Sequence, residues 1–170
     1  MIDIEIDKLT RSIEDSQTGR SLQTVIEPVT SRELRDLATE GWSFNWLEEL
    51  KDSEVYKLTV PNVRPVIQEL ISLTKAEGFI QVGLVESHPL NVGQGKKFRG
   101  VAGNLFAFAA KISMDVGNDG FVMFVAKTEL IEHYERTLGA KRMGGSSKMY
   151  LDERAAGKLI SQYFGGSHAK

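Results

Sequence analysis

The stretch KFRGVAGNL, Lys97 to Leu105, runs on as FAFAAKIS to Ser113, and its reading decides the fold. A basic run meets three small residues, Gly100, Ala102 and Gly103, where an apolar helix is about to begin. Glycine weakens a helix interior by roughly 1 kcal/mol relative to alanine, so helix stability does not explain them. The Walker pattern fails here, because Leu90 and Lys97 fill its glycine and Ser/Thr places. The pattern G-x-G-x-x-G fits Gly93 and Gly95 but meets Phe98 at its third place. A third pattern, Q/R-x-x-G-x-G/A-x-x-L, takes Lys97, Gly100, Ala102 and Leu105 in order, with lysine in the first slot. Small residues at a helix start leave successive backbone N–H groups uncovered, and the helix N-terminus carries about half a positive charge. Such a turn can hold a pyrophosphate. Lys96, Lys97 and Arg99 add positive charge beside it. The other reading is that Gly100 and Gly103 let the helix pack close to a strand.

Upstream of this stretch, Val66 to Thr74 and Phe79 to Ser87 are strand-like runs on either side of KAEG, which predicts a β-hairpin. Downstream, DVGNDG is a turn cluster, and FVMFVAK from Phe121 to Lys127 reads as a buried central strand. Thr128 is placed as the cap of a helix that ends before Gly139. KMYLD is a short strand, and Asp152 caps ERAAGKLISQYF. Closer to the start, TVIEPVT is a first strand and Ser31 is taken as the cap of SRELRDLATEG. WSFNWLEELKD is a short helix, and SEVYKLTV is a strand that stops at Pro61. Residues 1–23 are an N-terminal segment with Ile2, Ile4, Ile6 and Leu9 among charges, either docked at an edge or mobile. Residues 24–166 form a single domain of mixed α/β (α+β) class.

The bulk numbers are those of an ordinary domain: 170 residues, 41% hydrophobic, 26% charged. A net charge of -2 argues against a dedicated nucleic-acid binder. There is no cysteine, which excludes disulfides, thiolate nucleophiles and Cys-type zinc sites and fits a reducing cytoplasm. The first fifteen residues are acidic and lack the apolar core of a signal peptide. No apolar run approaches the ~20 residues of a membrane span. The three histidines are dispersed, so no metal site is expected.

In its motif and its context the chain resembles the GCN5-related N-acetyltransferases (GNATs). That family places the Lys97–Leu105 pattern after a hairpin strand and follows it with a helix, a buried strand and a helix bearing a tyrosine-charge run that ends in glycine. Here these are FIQVGLVES, NLFAFAAKIS, FVMFVAK and ELIEHYERTLGAK, with Tyr134 to Gly139 as the run. The resemblance covers roughly Val55 to Tyr150. It departs at Lys127, where the family often has asparagine, at Ala140, where an aromatic is expected, and in a long loop from Glu86 to Lys97.

The resemblance implies a central, mostly antiparallel mixed sheet flanked by helices. It also implies an N-acetyltransferase that moves an acetyl group from acetyl-CoA to a primary amine by direct attack through a tetrahedral intermediate. The pantetheine arm would pair with Phe79–Ser87 like an added strand. The positions that would hold coenzyme A are Val85, Lys97, Arg99, Gly100, Val101, Ala102, Gly103, Asn104, Leu105 and Lys127. The oxyanion donor would come from the end of the hairpin strand. Glu86 is the first candidate for general base and His88 the second, while Tyr134 is the candidate acid for the leaving thiolate. His133, adjacent on the helix, is read as a surface histidine. Trp42, Phe44 and Trp46 are read as core, in a region that often walls the acceptor site. RMGGSSK, Arg142 to Lys148, is read as a loop before the last strand. The acceptor is a small-molecule or protein amine, and a homodimer is compatible with the chain. Two other classes stay open: a non-catalytic acyl-CoA-binding or protein-interaction domain of the same fold, and a nucleic-acid module using KKFR and AKRMGGSSK.

Overall fold

The computed structural model describes residues 1–10, 12–61, 66–91 and 97–165. In chain order the elements are β1 (Ile13–Asp15), β2 (Ser21–Leu22), β3 (Val25–Pro28), α1 (Ser31–Leu34), α2 (Trp46–Glu49), β4 (Glu54–Thr59), β5 (Glu69–Ala76) and β6 (Phe79–Ser87). They continue as β7 (Phe98–Arg99), α3 (Val101–Asp115), β8 (Val122–Val125), α4 (Ile131–Leu138), β9 (Lys141–Arg142), β10 (Lys148–Leu151) and α5 (Glu153–Phe164). A seven-stranded sheet runs β3-β4-β5-β6-β8-β10-β9, and a three-stranded one runs β2-β1-β7. Every pairing is antiparallel except β6 with β8. This is the mixed, mostly antiparallel α/β architecture that the sequence leads one to expect.

The hairpin β5–β6 closes at Glu77-Gly78, with Gly78 at φ +89° as a two-residue turn requires. Alternate side chains of a strand face opposite sides. Ile71 thus enters the larger apolar cluster with α3 and α5, while Leu70 joins the smaller one around Trp42 and Trp46. Within the hairpin, Ile71 lies opposite Val85 and Leu73 opposite Val82. Two residues of β6, Gly83 and Leu84, therefore face one residue of β5, Ser72, which is a β-bulge. The Ser72 hydroxyl accepts from the Leu84 N–H at 2.8 Å and donates to Glu49 Oε2 at 2.6 Å. The bulge thus holds its own partner and is tied to α2.

Several local expectations change. The cap of α1 is Thr30, not Ser31, because Thr30 and Glu33 satisfy each other's backbone N–H groups in a capping box. Thr128 caps nothing; a 3₁₀ turn at Thr128–Leu130 precedes α4, and the Thr128 hydroxyl lies 3.5 Å from that of Ser147. Asp152 does cap α5, accepting from the Ala155 N–H at 2.9 Å. Residues 1–10 are docked: Ile2, Ile6 and Thr10 are buried, and Ile2 bridges Ala126 in parallel.

Candidate functional site

Strands β6 and β8 share only two residue pairs, Ile80 with Val122 and Gln81 with Met123, before they diverge. The divergence opens beside the β6 bulge, and a cleft of ≈ 920 Å³ lies there, lined by Val85, Glu86, Phe98, Val101, Ala102 and Phe44 among others. Along a strand, successive backbone groups point to opposite edges. On β8 the odd-numbered residues face β6: the Phe121 carbonyl accepts from the Ile80 N–H at 3.0 Å. Further along, where β6 has turned away, Ile2 takes its place. The Ile2 N–H donates to the Val125 carbonyl at 2.6 Å, and the Lys127 N–H donates to the Ile2 carbonyl at 2.8 Å. The rest of the segment crosses the cleft, and Asp3, Ile4, Glu5 and Asp7 form part of its lining.

Tyr134 is fully buried beneath Ile4, outside the cleft lining, with Phe124 edge-on at 5.5 Å. Its hydroxyl donates to the Ile4 carbonyl. Burial pushes its pKa well above the usual tyrosine range, and Asp3 and Glu5 push it the same way. His133 is half-buried and engaged, not a free surface residue. Its Nε2 accepts from the Ile6 N–H at 2.8 Å, and burial lowers its pKa. Adjacency to Tyr134 hid this; the clue was the alternation of Ile2, Ile4 and Ile6 with acids, which is a strand pattern in need of partners.

Glu86 sits at the end of β6, but its carboxylate is engaged. It accepts from the Ser43 N–H at 2.5 Å, the Phe44 N–H at 3.1 Å and the Trp46 indole N–H at 2.8 Å. A carboxylate offers about four lone-pair sites, and donors among the described residues take three of them. Trp42 and Trp46 are core as expected, whereas Phe44 faces the cleft. His88 packs edge-on to Trp42 at 5.8 Å, and its Nδ1 accepts from the Leu90 N–H at 3.0 Å. It is not part of the cleft lining.

The glycine stretch divides. Gly100 has φ +80°, heads α3, and donates its N–H to Asp7 Oδ1 at 3.2 Å. A Cβ on Gly100 would meet Thr10 Oγ1 at 2.2 Å. The first turn of any helix has N–H groups without intrahelical partners, and here a carboxylate stands before them. Val101 and Ala102 line the cleft. Gly103 does not: a Cβ there would come within 2.3 Å of the Tyr163 hydroxyl, so its smallness lets α3 approach α5. Leu105 is core, and Asn104 is buried with its Nδ2 3.3 Å from Thr24 Oγ1. Lys97 and Arg99 are exposed at the short strand β7, and Lys127 is exposed beyond the end of β8. Lys96 and residues 92–95 of the long loop lie outside the described residues. The RMGGSSK stretch is a tight turn between β9 and β10, closed by Arg142 bonding the Ser146 carbonyl at 2.7 Å. No group of residues among those described has the make-up of a metal site, and no described helix is long and apolar enough to cross a membrane.

No family model matches the sequence, and no curated protein does. Solved structures do match by shape. AtaTR bound with acetyl-CoA is similar at TM-score 0.54 and 15% identity, covering 81% of this chain and 98% of that one. AtaT complexed with acetyl-methionyl-tRNAfMet is similar at TM-score 0.55 and 14% identity, over 81% of this chain and 99% of that one. A Bacillus subtilis acetyltransferase in complex with CoA gives TM-score 0.50 and 15% identity, over 78% of this chain and 99% of that one. The fold is the GNAT fold.

Proposed function

We propose that the protein is an acetyl-CoA-dependent N-acetyltransferase that acts on a primary amine. The observation that carries the reading is the divergence of parallel β6 and β8 beside a glycine-headed helix, with an anionic group already accepting from the Gly100 N–H. The residues present fit the co-substrate in kind. The edge that Phe79–Ser87 turns toward the gap, with the facing β8 edge beyond Met123, offers backbone groups to an extended arm, and the turn at Gly100–Ala102 offers N–H groups to phosphate. Acetyl-CoA supplies an activated acyl group as a thioester. Val85, next to the bulge, borders the reacting carbon in this reading, and an N–H from this part of β6 faces the oxyanion. The amine nitrogen adds to the thioester carbon to form the C–N bond and the tetrahedral oxyanion, and collapse of that intermediate breaks the C–S bond. The amine's proton leaves through water to the Glu86 carboxylate, and the Tyr134 hydroxyl returns a proton to the departing sulfur. His88, outside the lining, orients Trp42 and the loop above Glu86.

The acceptor is an amine small enough to enter beside Phe44. One similar protein is complexed with an acetylated aminoacyl-tRNA, so aminoacyl-tRNA belongs in the acceptor screen together with small amines and peptides. The chain has no cysteine, so free thiol released from acetyl-CoA is a direct readout of turnover. Amine-dependent thiol release supports the reading. Binding of acetyl-CoA with no release for any acceptor class moves the protein to the second reading, a non-catalytic acyl-CoA-binding domain. The burial of Tyr134 beneath Ile4 favours that reading.

A further inference from the structure

We propose that residues Ile2–Asp7 are a built-in strap that fills the acyl-CoA slot and must leave before a thioester reaches Tyr134. The proposal rests on the acetyl-CoA reading above and adds what stands in the way. Three features of the segment copy three requirements of an acyl-CoA ligand. Its backbone at Ile2 takes the β8 edge that β6 abandons, bonding Val125 and Lys127. Its Ile4 carbonyl accepts the Tyr134 hydroxyl, the group assigned to the leaving sulfur. Its Asp7 carboxylate accepts from the Gly100 N–H at the head of α3, where a phosphate would bind. Thr10 then closes over Gly100.

The sequence is built for this placement. Ile2 and Ile6 are buried at 0% and 4% exposure, and the alternating Asp3, Glu5 and Asp7 face the cleft. Those carboxylates repel the phosphates of coenzyme A, so strap and ligand exclude one another by charge as well as by volume. The attachment combines burial of Ile2 and Ile6 with backbone bonds at Ile2, Ile4 and Ile6 and the Asp7 carboxylate, and one of the partners, His133, is itself titratable. A ligand whose competent state is only fractionally populated binds with affinity reduced by that fraction. The strap therefore sets the acyl-CoA concentration at which the protein loads.

A reversible lock tests this in the full chain. Ile2 and Ala126 are bridge partners, and neighbouring strands bring such residues within about 5 Å, which suits a disulfide. In the Ile2→Cys/Ala126→Cys double variant, the oxidised form should bind CoA at least ~10-fold more weakly than its own reduced form, measured by calorimetry. Equal affinity in both forms overturns the strap and leaves the acetyl-CoA reading intact. Two further measurements stand if the double variant does not fold. In the unmodified protein, saturating CoA should speed hydrogen exchange of the Ile2 and Ile6 amides at least ~10-fold, and retained protection with CoA bound overturns the strap. Asp7→Asn should tighten CoA binding several-fold, and unchanged or weaker binding counts against it. No CoA binding at millimolar concentration by the wild type or by Asp7→Asn overturns the acetyl-CoA reading and the strap together.

Discussion

Strands β6 and β8 are neighbours in one sheet, yet they find their partners differently. β6 is zipped to β5 by seven residue pairs across a two-residue turn, so its ladder is written in adjacent sequence. On its β6 side, β8 shares two pairs with β6 and then meets Ile2, more than a hundred residues away. The first half of the sheet is a scaffold closed by local contacts. The second half meets it along a short seam and leaves a gap that a distant segment fills. Local ladders form early and hold, whereas a partner fetched from afar must repay a larger closure entropy. A fold that needs a slot gains one by leaving a seam half made.

The contrast can be broken most sharply at Gly103, which ties α3 to the scaffold. Gly103→Val should destabilise by about 3 kcal/mol, because a Cβ meets the Tyr163 hydroxyl. Urea unfolding reads this, and a change within error would show that α3 and α5 have room to part. On the slot side the order reverses, with chemistry hurt more than stability. Tyr134→Phe should cost about 1 kcal/mol of stability through the lost bond to Ile4 and roughly 100-fold in kcat. Equal kcat in the two proteins would remove Tyr134 from the acid role.

Glu86 tests the border between the halves. Glu86→Gln should destabilise by about 1–2 kcal/mol, since three N–H donors lose part of their acceptor. If Glu86 also takes the proton, the pH profile of kcat/KM loses its acid limb in the variant; an unchanged profile leaves Glu86 as a clasp alone.

Smaller still is a pH effect at the strap. Burial holds the His133 pKa below its ordinary 6.5, with Glu5 opposing and Arg136 assisting. A depressed folded value means the unfolded or undocked state binds the proton first. Docking stability is therefore complete above 6.5 and declines as pH falls through the folded value. The protection factor of the Ile6 amide, its exchange rate corrected for the intrinsic pH dependence, should fall as pH drops below about 6.5, and His133→Gln should flatten that dependence. The least effect is expected at the far end of the sheet. Asp152→Ala removes the cap of α5 and should cost about 1 kcal/mol by thermal unfolding.

What the sequence disclosed follows the same division. The hairpin, the apolar run of β8 and the Asp152 cap are patterns within a dozen residues, and they were legible. A spacing pattern marks Tyr134 and Gly100, and the structure shows where they sit, Tyr134 buried on α4 and Gly100 at the head of α3. Gly103 lies in the same stretch as Gly100, but its partner Tyr163 lies far along the chain, and no spacing announces it. The three donors to Glu86 arrive from the Ser43–Trp46 loop, so a strand-end carboxylate gave no sign of being occupied. The Ile2–Ile6 alternation was visible as letters, yet it gained meaning only when β8 was seen to lack an edge partner.

That missing partner has a further consequence. If the segment simply left, the Val125 carbonyl and the Lys127 N–H would lose their bonds, and unpaired backbone groups in a partly covered site are costly. A vacant groove is therefore a brief state. Under the strap proposal, loading is an exchange more than an opening: one extended chain departs as another enters the gap. A bare β8 edge would accept any strand on offer, including Ile2 from another copy of the protein, and swapped pairs at high concentration are the natural by-product of such an exchange.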